Sequence, residues 1–485
     1  MEKIDTKQNR HKGWKIAATL LIILSFIPTI ALAQELDWMR IYAGTGSDVA
    51  WDVTQTSDGG YAVIGSTHTM GTGNPDAWLI KTDSEGNEDW NMVYGYLGFP
   101  TGDYGYSVQQ TSDGGYIFTG CTFSYGAGGG DVWLVKTLSD GTLDWQTTFG
   151  GTLYDLGYSV KQTSDGGYII AGTTGSYGAG WVDMWLIKTD ASGNEEWNTP
   201  LGGGSQEFGS DVVETTDGYV AVGRTLSFSS GPMGDDLWLV KVDLDGNFVW
   251  GRTYGGNYND PGHSLKQTPD GGFIVAGQTT SLGNPYDAWL IKTDSEGYEE
   301  WSQTYGGPGM EVAYSVDLTS DGGYVFTGYG PNATGGDSIL LVKTDSYGNR
   351  EWNATYVDDV ISCGNSVIEV GDGEYVIAGQ KSAEPTGYDI VLLKVGPVSE
   401  IPTIPEAMED IQEEIEHNGF RKSLLAKLGN ALKALEKGNM NAYENILQAF
   451  INEVNAQSGK KIPQEYAEQL IEWAEAWIDD PSLAV

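Results

Sequence analysis

One short signature recurs seven times along this chain, and no other feature restricts its fold as much. It is a turn built around Asp58, Asp113, Asp165, Asp217, Asp270, Asp321 and Asp372, at spacings of 51 to 55 residues. Five copies keep Asp-Gly-Gly followed by an aromatic, ending in Tyr61, Tyr116, Tyr168, Phe273 and Tyr324. The fourth has one glycine fewer before Tyr219, and the seventh reads Asp372-Gly373-Glu374-Tyr375. Self-similarity at such a period marks a repeat architecture, in which one supersecondary unit is copied and its copies bury each other's faces.

Each turn lies between two short β-rich runs, such as Tyr106-Ser-Val-Gln-Gln-Thr111 and Tyr116-Ile-Phe-Thr-Gly120. Asp-Gly between such runs predicts a hairpin, because glycine supplies the positive φ of a tight turn. A second hairpin follows in every copy. In the first it is Asp76-Ala-Trp-Leu-Ile-Lys-Thr-Asp83, a turn at Ser84-Glu-Gly-Asn87, then Glu88-Asp-Trp-Asn-Met-Val-Tyr94. Four antiparallel strands recurring seven times predict a seven-bladed β-propeller.

The two ends of the repeat region agree. The segment Leu36-Asp-Trp-Met-Arg-Ile-Tyr42 is a fourth strand with no first three, and the seventh repeat stops at Asp389-Ile-Val-Leu-Leu-Lys394, a third strand with no fourth. Seven fourth-strand tryptophans result: Trp38, Trp90, Trp145, Trp197, Trp250, Trp301 and Trp352. The N-terminal strand is therefore expected to complete the last blade and remove an exposed sheet edge.

Residues 1–33 read as a signal peptide, with Lys3, Lys7, Arg10, Lys12 and Lys15 ahead of an apolar run from Ile16 to Ala33 that ends in Ala31-Leu32-Ala33. Cleavage before Gln34 is the expectation, with retention as an anchor as the alternative; no other segment is apolar enough to cross a bilayer. Two cysteines, Cys121 and Cys363, hold unlike places in the repeat and read as buried thiols rather than a disulfide. The formal charge of −41, from 26 basic and 67 acidic residues, repels phosphate backbones and anionic lipid. Nucleic acid is thereby excluded as a partner, while an extracellular protein, a neutral glycan or a cation remains compatible. Such acidity also keeps an exported chain soluble and monomeric.

Three positions recur in ways that bear on chemistry. Aspartate opens the third strand in all seven blades (Asp76, Asp131, Asp183, Asp236, Asp287, Asp337, Asp389), and lysine closes it (Lys81, Lys136, Lys188, Lys241, Lys292, Lys343, Lys394). Presence in every blade assigns these to ion pairs and turn caps, since a catalytic site breaks repeat symmetry. Trp78, Trp133, Trp185, Trp238 and Trp289, on the same strand, are expected to pack between blades. An acid also stands four residues before the recurring Ser or Asp of the first strand: Asp48, Asp103, Asp155, Glu207, Asp260 and Glu311, with Ser362 in the seventh blade. First strands line a propeller's channel, so these six carboxylates form a candidate ring for calcium or another hard cation. The competing expectation is that each carboxylate accepts hydrogen bonds from a loop.

No nucleophile elbow, zinc-type histidine pair or phosphate loop is present, and His68, His263 and His417 lie far apart in sequence. The variable glycine-rich connectors, such as Ser124-Tyr-Gly-Ala-Gly-Gly-Gly130, are where blade-specific recognition is expected. Asn332-Ala-Thr334 and Asn353-Ala-Thr355 fit the N-glycosylation pattern. An exported, non-catalytic binding or scaffold protein is the reading; the alternative is an extracellular enzyme acting on a glycan or small molecule at the channel.

The run of Ser/Thr-Asp-Gly-Gly-Tyr, Asp-x-Trp-Leu-Ile/Val-Lys-Thr-Asp, Gly-Asn and Trp-x-x-x-Tyr-Gly-Gly resembles the propeller repeats of exported, often surface-associated prokaryotic proteins. That resemblance covers residues 35 to about 396, within an expected propeller domain of 34–396. Beyond it lies a proline-rich linker, 397–405, and then residues 406–485 with a helical period. Met408, Ile411 and Ile415 mark a first helix stopped at Asn418-Gly419. Leu424, Leu425, Leu428, Leu432 and Leu435 mark a second, a third starts near Asn441 with Glu444, and Pro463 opens a fourth. This all-α segment resembles the FIMAH domain through Leu424-Leu-Ala-Lys-Leu428, Gly438-Asn439 and Phe450-Ile-Asn-Glu-Val-Asn-Ala-Gln-Ser-Gly-Lys-Lys-Ile462, which implies a role in interaction or attachment.

Overall fold

Each repeat folds into two consecutive hairpins that share one antiparallel sheet. The computed structural model describes residues 34–479 and residue 484, apart from residues 45, 69–73, 96–101, 232–233, 283–285, 308, 333–335, 358–360, 372, 384–386, 398–402 and 416. The expected signal segment 1–33 and Asp372 lie outside the described residues. In the first blade the strands run Asp48–Gln55, Tyr61–Thr67, Asp76–Thr82 and Glu88–Tyr94, from the innermost to the outermost. Five more blades repeat this order, with innermost strands Asp103–Gln110, Asp155–Gln162, Glu207–Thr215, Gly262–Gln267 and Val312–Leu318.

The seventh blade is assembled from both ends of the strand region. Ser362–Gly371, Glu374–Ala383 and Gly387–Pro397 supply three strands, and Gln34–Tyr42 pairs antiparallel with the third, from Gln34 opposite Pro397 to Tyr42 opposite Ile390. The ring is a seven-bladed propeller, closed by its N-terminal strand.

Hydrophobic cores lie between blades rather than at the centre. Tyr61, Val63, Trp78 and Ile80 of the first blade pack with Val376, Ala378, Ile390 and Leu392 of the seventh, and the six other junctions repeat the arrangement. Second and third strands are covered on both faces, so they read as continuous apolar runs instead of alternating ones. The third-strand tryptophans are the buried inter-blade residues expected, with Trp133 and Trp185 almost fully enclosed. Fourth-strand tryptophans lie against the aromatic that ends the next blade's Asp-Gly turn, as Trp38 does on Tyr61 and Trp90 on Tyr116, with ring centroids 5.9 and 5.7 Å apart.

The recurring lysines are ion-paired within their blades. Lys188 Nζ is 2.8 Å from Asp165 and 2.9 Å from Glu196, and Lys292 and Lys343 repeat this with Asp270 and Glu300 and with Asp321 and Glu351. Each lysine thus ties the first hairpin turn to the second hairpin.

Four helices follow: α1 (Ile404–Glu414), α2 (Asn418–Glu436), α3 (Met440–Gln457) and α4 (Gln464–Asp479). Three boundaries differ from the sequence reading. Helix α1 begins inside the expected linker, because Thr403 and Glu406 form a capping box and Pro405 fits the first turn, where no backbone N–H is needed. Asn418 and Gly419 open α2 rather than stopping a helix, since His417 Nδ1 accepts from the Phe420 N–H and caps it. Helix α3 starts one residue earlier, capped by Asn439 Oδ1 on the Ala442 N–H. Phe420, Leu424, Leu428, Tyr443, Leu447, Phe450, Trp473 and Trp477 form one core. Among the described residues no helix is long and apolar enough to cross a membrane.

Candidate functional site

Every innermost strand carries a β-bulge at the same place, between Ala50 and Asp52 in the first blade and at the equivalent pair in the other six. The bulge brings the backbone of the innermost strand so close to the second strand that only glycine fits opposite. A Cβ at Gly65, Gly120, Gly172, Gly223, Gly277, Gly328 or Gly379 would sit 1.7–2.3 Å from a carbonyl oxygen of that strand. A glycine recurring inside a strand is the signal from which this could have been read.

The bulged residues are Trp51, Tyr106, Tyr158, Ser210, His263, Tyr314 and Asn365, and all seven line the same central space. On one side of this ring is a cavity of about 600 Å³ that adds Phe208, Arg224, Cys363 and Gln380 to its wall. On the other side is one of about 340 Å³ that adds Lys161, Lys266, Asp52 and Asp211. Positions that hold the fold together recur in every blade, whereas the bulge position changes from blade to blade.

Below the bulges a ring of hydrogen bonds joins neighbouring blades. Val108 N–H donates to Asp52 (3.1 Å), Val160 to Ser107 (3.3 Å), Leu265 to Asp211 (2.9 Å), Val316 to Ser264 (3.3 Å) and Val367 to Ser315 (3.2 Å). Ser159 Oγ donates to Asp211 at 2.7 Å, and Val53 closes the circle on Ser366. This explains the Ser or Asp at that position as an inter-blade fastener.

The six carboxylates expected to converge on the channel do not do so. None of them lines either cavity, and among the described residues no three acidic, histidine or cysteine side chains come together to hold a metal. Alternate residues of a strand face opposite ways, so with Phe208 facing the channel, Glu207 turns into the blade junction. There each acid serves loops. Asp155 accepts from Thr174 Oγ1, from Ser176 Oγ (2.7 Å) and from the Gly151 N–H (2.8 Å). Asp260 does the same with Thr279 Oγ1, Ser281 Oγ and the Gly256 N–H. Asp103 binds Thr122 Oγ1 and the Phe123 N–H, Glu207 binds Thr225 Oγ1 and the Gly203 N–H, and Asp48 binds the Gly44 N–H. Glu311 is buried in the equivalent place, and Ser362 Oγ accepts from the Ile339 N–H.

Third-strand aspartates meet these acids at the junctions. Asp131 caps the N–H groups of Ala127 and Gly128, and Asp236 that of Ser230. Burial, followed by the charge of Asp103, pushes the Asp76 carboxyl up to about 6, and burial raises Asp131, Asp183 and Asp236 in the same direction.

Around the channel, burial and then the nearby Arg224 charge lower His263 to about 4, so its imidazole is neutral at pH 7. Burial raises both thiols to about 12, and neither cysteine is in a disulfide. Burial opposes the Lys266 charge, but Asp317 at 3.0 Å, Asp211 and Asp52 outweigh it and raise its pKa. Of the two glycosylation candidates, Asn353 is exposed on an outermost strand. Asn332 is buried, its Nδ2 donates to Ser338 Oγ and its Oδ1 accepts from the Gly336 N–H, so the nitrogen a glycan would need is already engaged. Thr334 lies outside the described residues.

Comparison with known proteins adds the following. A regulatory protein of Caulobacter vibrioides, FlaEY, is 24% identical over an alignment of 251 residues that covers 46% of this chain; the chain spans 26% of the length of that curated relative. A protein of unknown function from Dyadobacter fermentans superposes with a TM-score of 0.43 at 9% identity, covering 75% of this chain and 99% of that one. The PQQ-bound aldose sugar dehydrogenase of Streptomyces coelicolor superposes with a TM-score of 0.38 at 10% identity, covering 75% and 100%. Neither superposition bears on what this chain does. Residues 410–479, which hold all of α2, α3 and α4, match the FIMAH domain family, and the protein is a seven-bladed β-propeller that carries a FIMAH domain.

Proposed function

We propose that this is an exported, surface-associated binding protein. In this reading residues 1–33 direct export, the propeller over 34–396 presents a ligand site, and residues 397–405 link it to a helical domain, 406–485, that attaches the protein to other surface components. A FIMAH domain joined to a propeller fits a surface-associated protein. The observation that carries the binding role is the divergence of the bulge position, whose side chains converge on the channel. Turn aspartates, lysines, tryptophans and junction acids repeat, while the bulge residues Trp51, Tyr106, Tyr158, Ser210, His263, Tyr314 and Asn365 differ. A position that serves the fold is reused in each blade, and a position that recognises a single ligand diverges.

Among the described residues no carboxylate lies in the wall of the larger cavity, which disfavours the two-carboxylate hydrolysis of a glycan there. The test compares the full chain with a version ended after Pro397 in a cell that exports them, by fractionation and by thermal melting. The full chain is expected at the cell surface, and the shortened one in the medium, still melting cooperatively. Equal retention of both would overturn the attachment role of the helical domain, and a cytoplasmic full chain would overturn export.

A further inference from the structure

The larger channel cavity has a wall whose chemistry selects among ligand classes. Trp51, Tyr106, Tyr158, Tyr314 and Phe208 contribute aromatic surface from five different blades. Trp51 is 38% exposed although it sits inside a strand of the sheet nearest the axis, so its ring faces open space rather than a core. Two side chains in the same wall, His263 and Gln380, each have a buried polar atom with no partner, Nε2 and Oε1. A buried polar atom left unpaired is costly, and native structures rarely keep one without a reason. The terminal torsions of both side chains are soft, so little energy opposes their reorienting toward a ligand.

Among the described residues Arg224 is the only charged one in this wall, and its charge is already matched. Its Nη1 is 3.0 Å from Asp235, and its guanidinium lies over the Phe208 ring at 4.2 Å. An acidic ligand would therefore find no uncompensated cation here, and would enter against the field of a chain with net charge −41. A quaternary ammonium suits an aromatic cage but offers no hydrogen bond to the unpaired atoms of His263 and Gln380. A ligand with apolar faces, many hydroxyl donors and no charge satisfies every feature of the wall.

We infer that the channel mouth binds a short neutral saccharide, its ring faces on Trp51 and the neighbouring tyrosines and its hydroxyls donating to His263 and Gln380. The volume of about 600 Å³ is within the ordinary range for small-ligand sites. This rests on the reading of the chain as a surface binding protein and supplies its ligand class.

Calorimetric titration of the full chain with maltose, cellobiose, chitobiose and lactose, and with digalacturonic acid as the acidic comparison, tests it. At least one neutral sugar is expected to bind. Trp51→Ala should weaken that affinity at least tenfold and Gln380→Leu several-fold, while Tyr347→Ala, on an exposed outer turn, should leave it unchanged. Unchanged melting temperatures would show that both cavity variants are folded. Binding of the acidic sugar alone, or of no sugar, overturns the ligand class without touching the surface-attachment test. Affinity that survives both cavity substitutions overturns the site. Cleavage of a bound neutral sugar would confirm the site and overturn the non-catalytic role.

Discussion

The backbone N–H of Val53 donates to Ser366 Oγ at 3.4 Å, joining two residues 313 positions apart in the chain. Ser366 Oγ in turn donates to Asp52 at 2.8 Å, and Asp52 also accepts from the Val108 N–H of the second blade. First and last blades are therefore held at the axis by the same device that joins every other pair, while the N-terminal strand holds them at the rim.

Asp52 serves three donors: the N–H groups of Val53 and Val108 and the Ser366 hydroxyl. Replacing it with Ala leaves the Val108 N–H beside a wall with no acceptor. Asp52→Ala should lower stability by about 2 kcal/mol, within the cost of leaving a buried donor unmade. Asp52→Ser, which restores the hydroxyl of other blades, should recover about half. Urea unfolding of the two variants decides it; equal losses would mean that the carboxylate rather than the fastening matters.

The junction acids should not need calcium. Both carboxylate oxygens of Asp155 and Asp260 are occupied by hydroxyl and N–H donors, and among the described residues no three such side chains come together to hold an ion. Calorimetric melting in millimolar calcium and in excess chelator is expected to give the same transition temperature. A rise in calcium would show that a native-state ion site exists, because a ligand of the folded state must stabilise it.

Asp76 sets a pH dependence of definite sign. Its folded pKa of about 6 lies above the unfolded value of roughly 3.9, so it takes up a proton on folding. Its contribution is complete below the unfolded value and is lost as pH rises through about 6. Asp76→Asn should therefore raise stability at pH 7 by about 1–2 kcal/mol and change little near pH 4. Denaturant midpoints at the two pH values measure this, and an equal effect at both would remove the titration as its cause.

Lys188 is buried between Asp165 and Glu196 and also donates to the Thr189 carbonyl at 2.9 Å. Both acids are about half exposed, so solvent screens what is left after the lysine is removed. Lys188→Met should cost about 1–2 kcal/mol rather than the larger loss of a fully buried pair. Burial works against the Asp165 charge, but its bonds to Lys188 and Thr163 prevail and lower its pKa to about 2. That stability is present above the unfolded value near 4 and is lost as pH falls towards 2. Without Lys188 the acid unfolding limb should move to higher pH.

Blade number, strand order and ring closure were legible because they rest on local rules. Asp58-Gly59-Gly60-Tyr61 specifies a turn through the positive φ of Gly59, Asp76 to Tyr94 specifies a hairpin, and the orphan fourth strand at Leu36–Tyr42 has one open edge to join. The tail was legible as helices, but not at its caps. Asn418-Gly419 is compatible with a stop or a start, and His417 decides between them only when its ring reaches the Phe420 N–H.

By itself, then, the sequence determined a seven-fold β repeat, its closure and a helical appendix, because hairpin turns and apolar periodicity act over a few residues. Only the tertiary structure decided where the acids and the bulged residues point. Asp155 and Tyr158 are three positions apart on one strand, yet one is enclosed in loop donors at a blade junction and the other faces the channel. The difference comes from strand alternation and a bulge that brings the backbone close at Gly172, and from neighbours about fifty residues away that spacing along the chain does not locate.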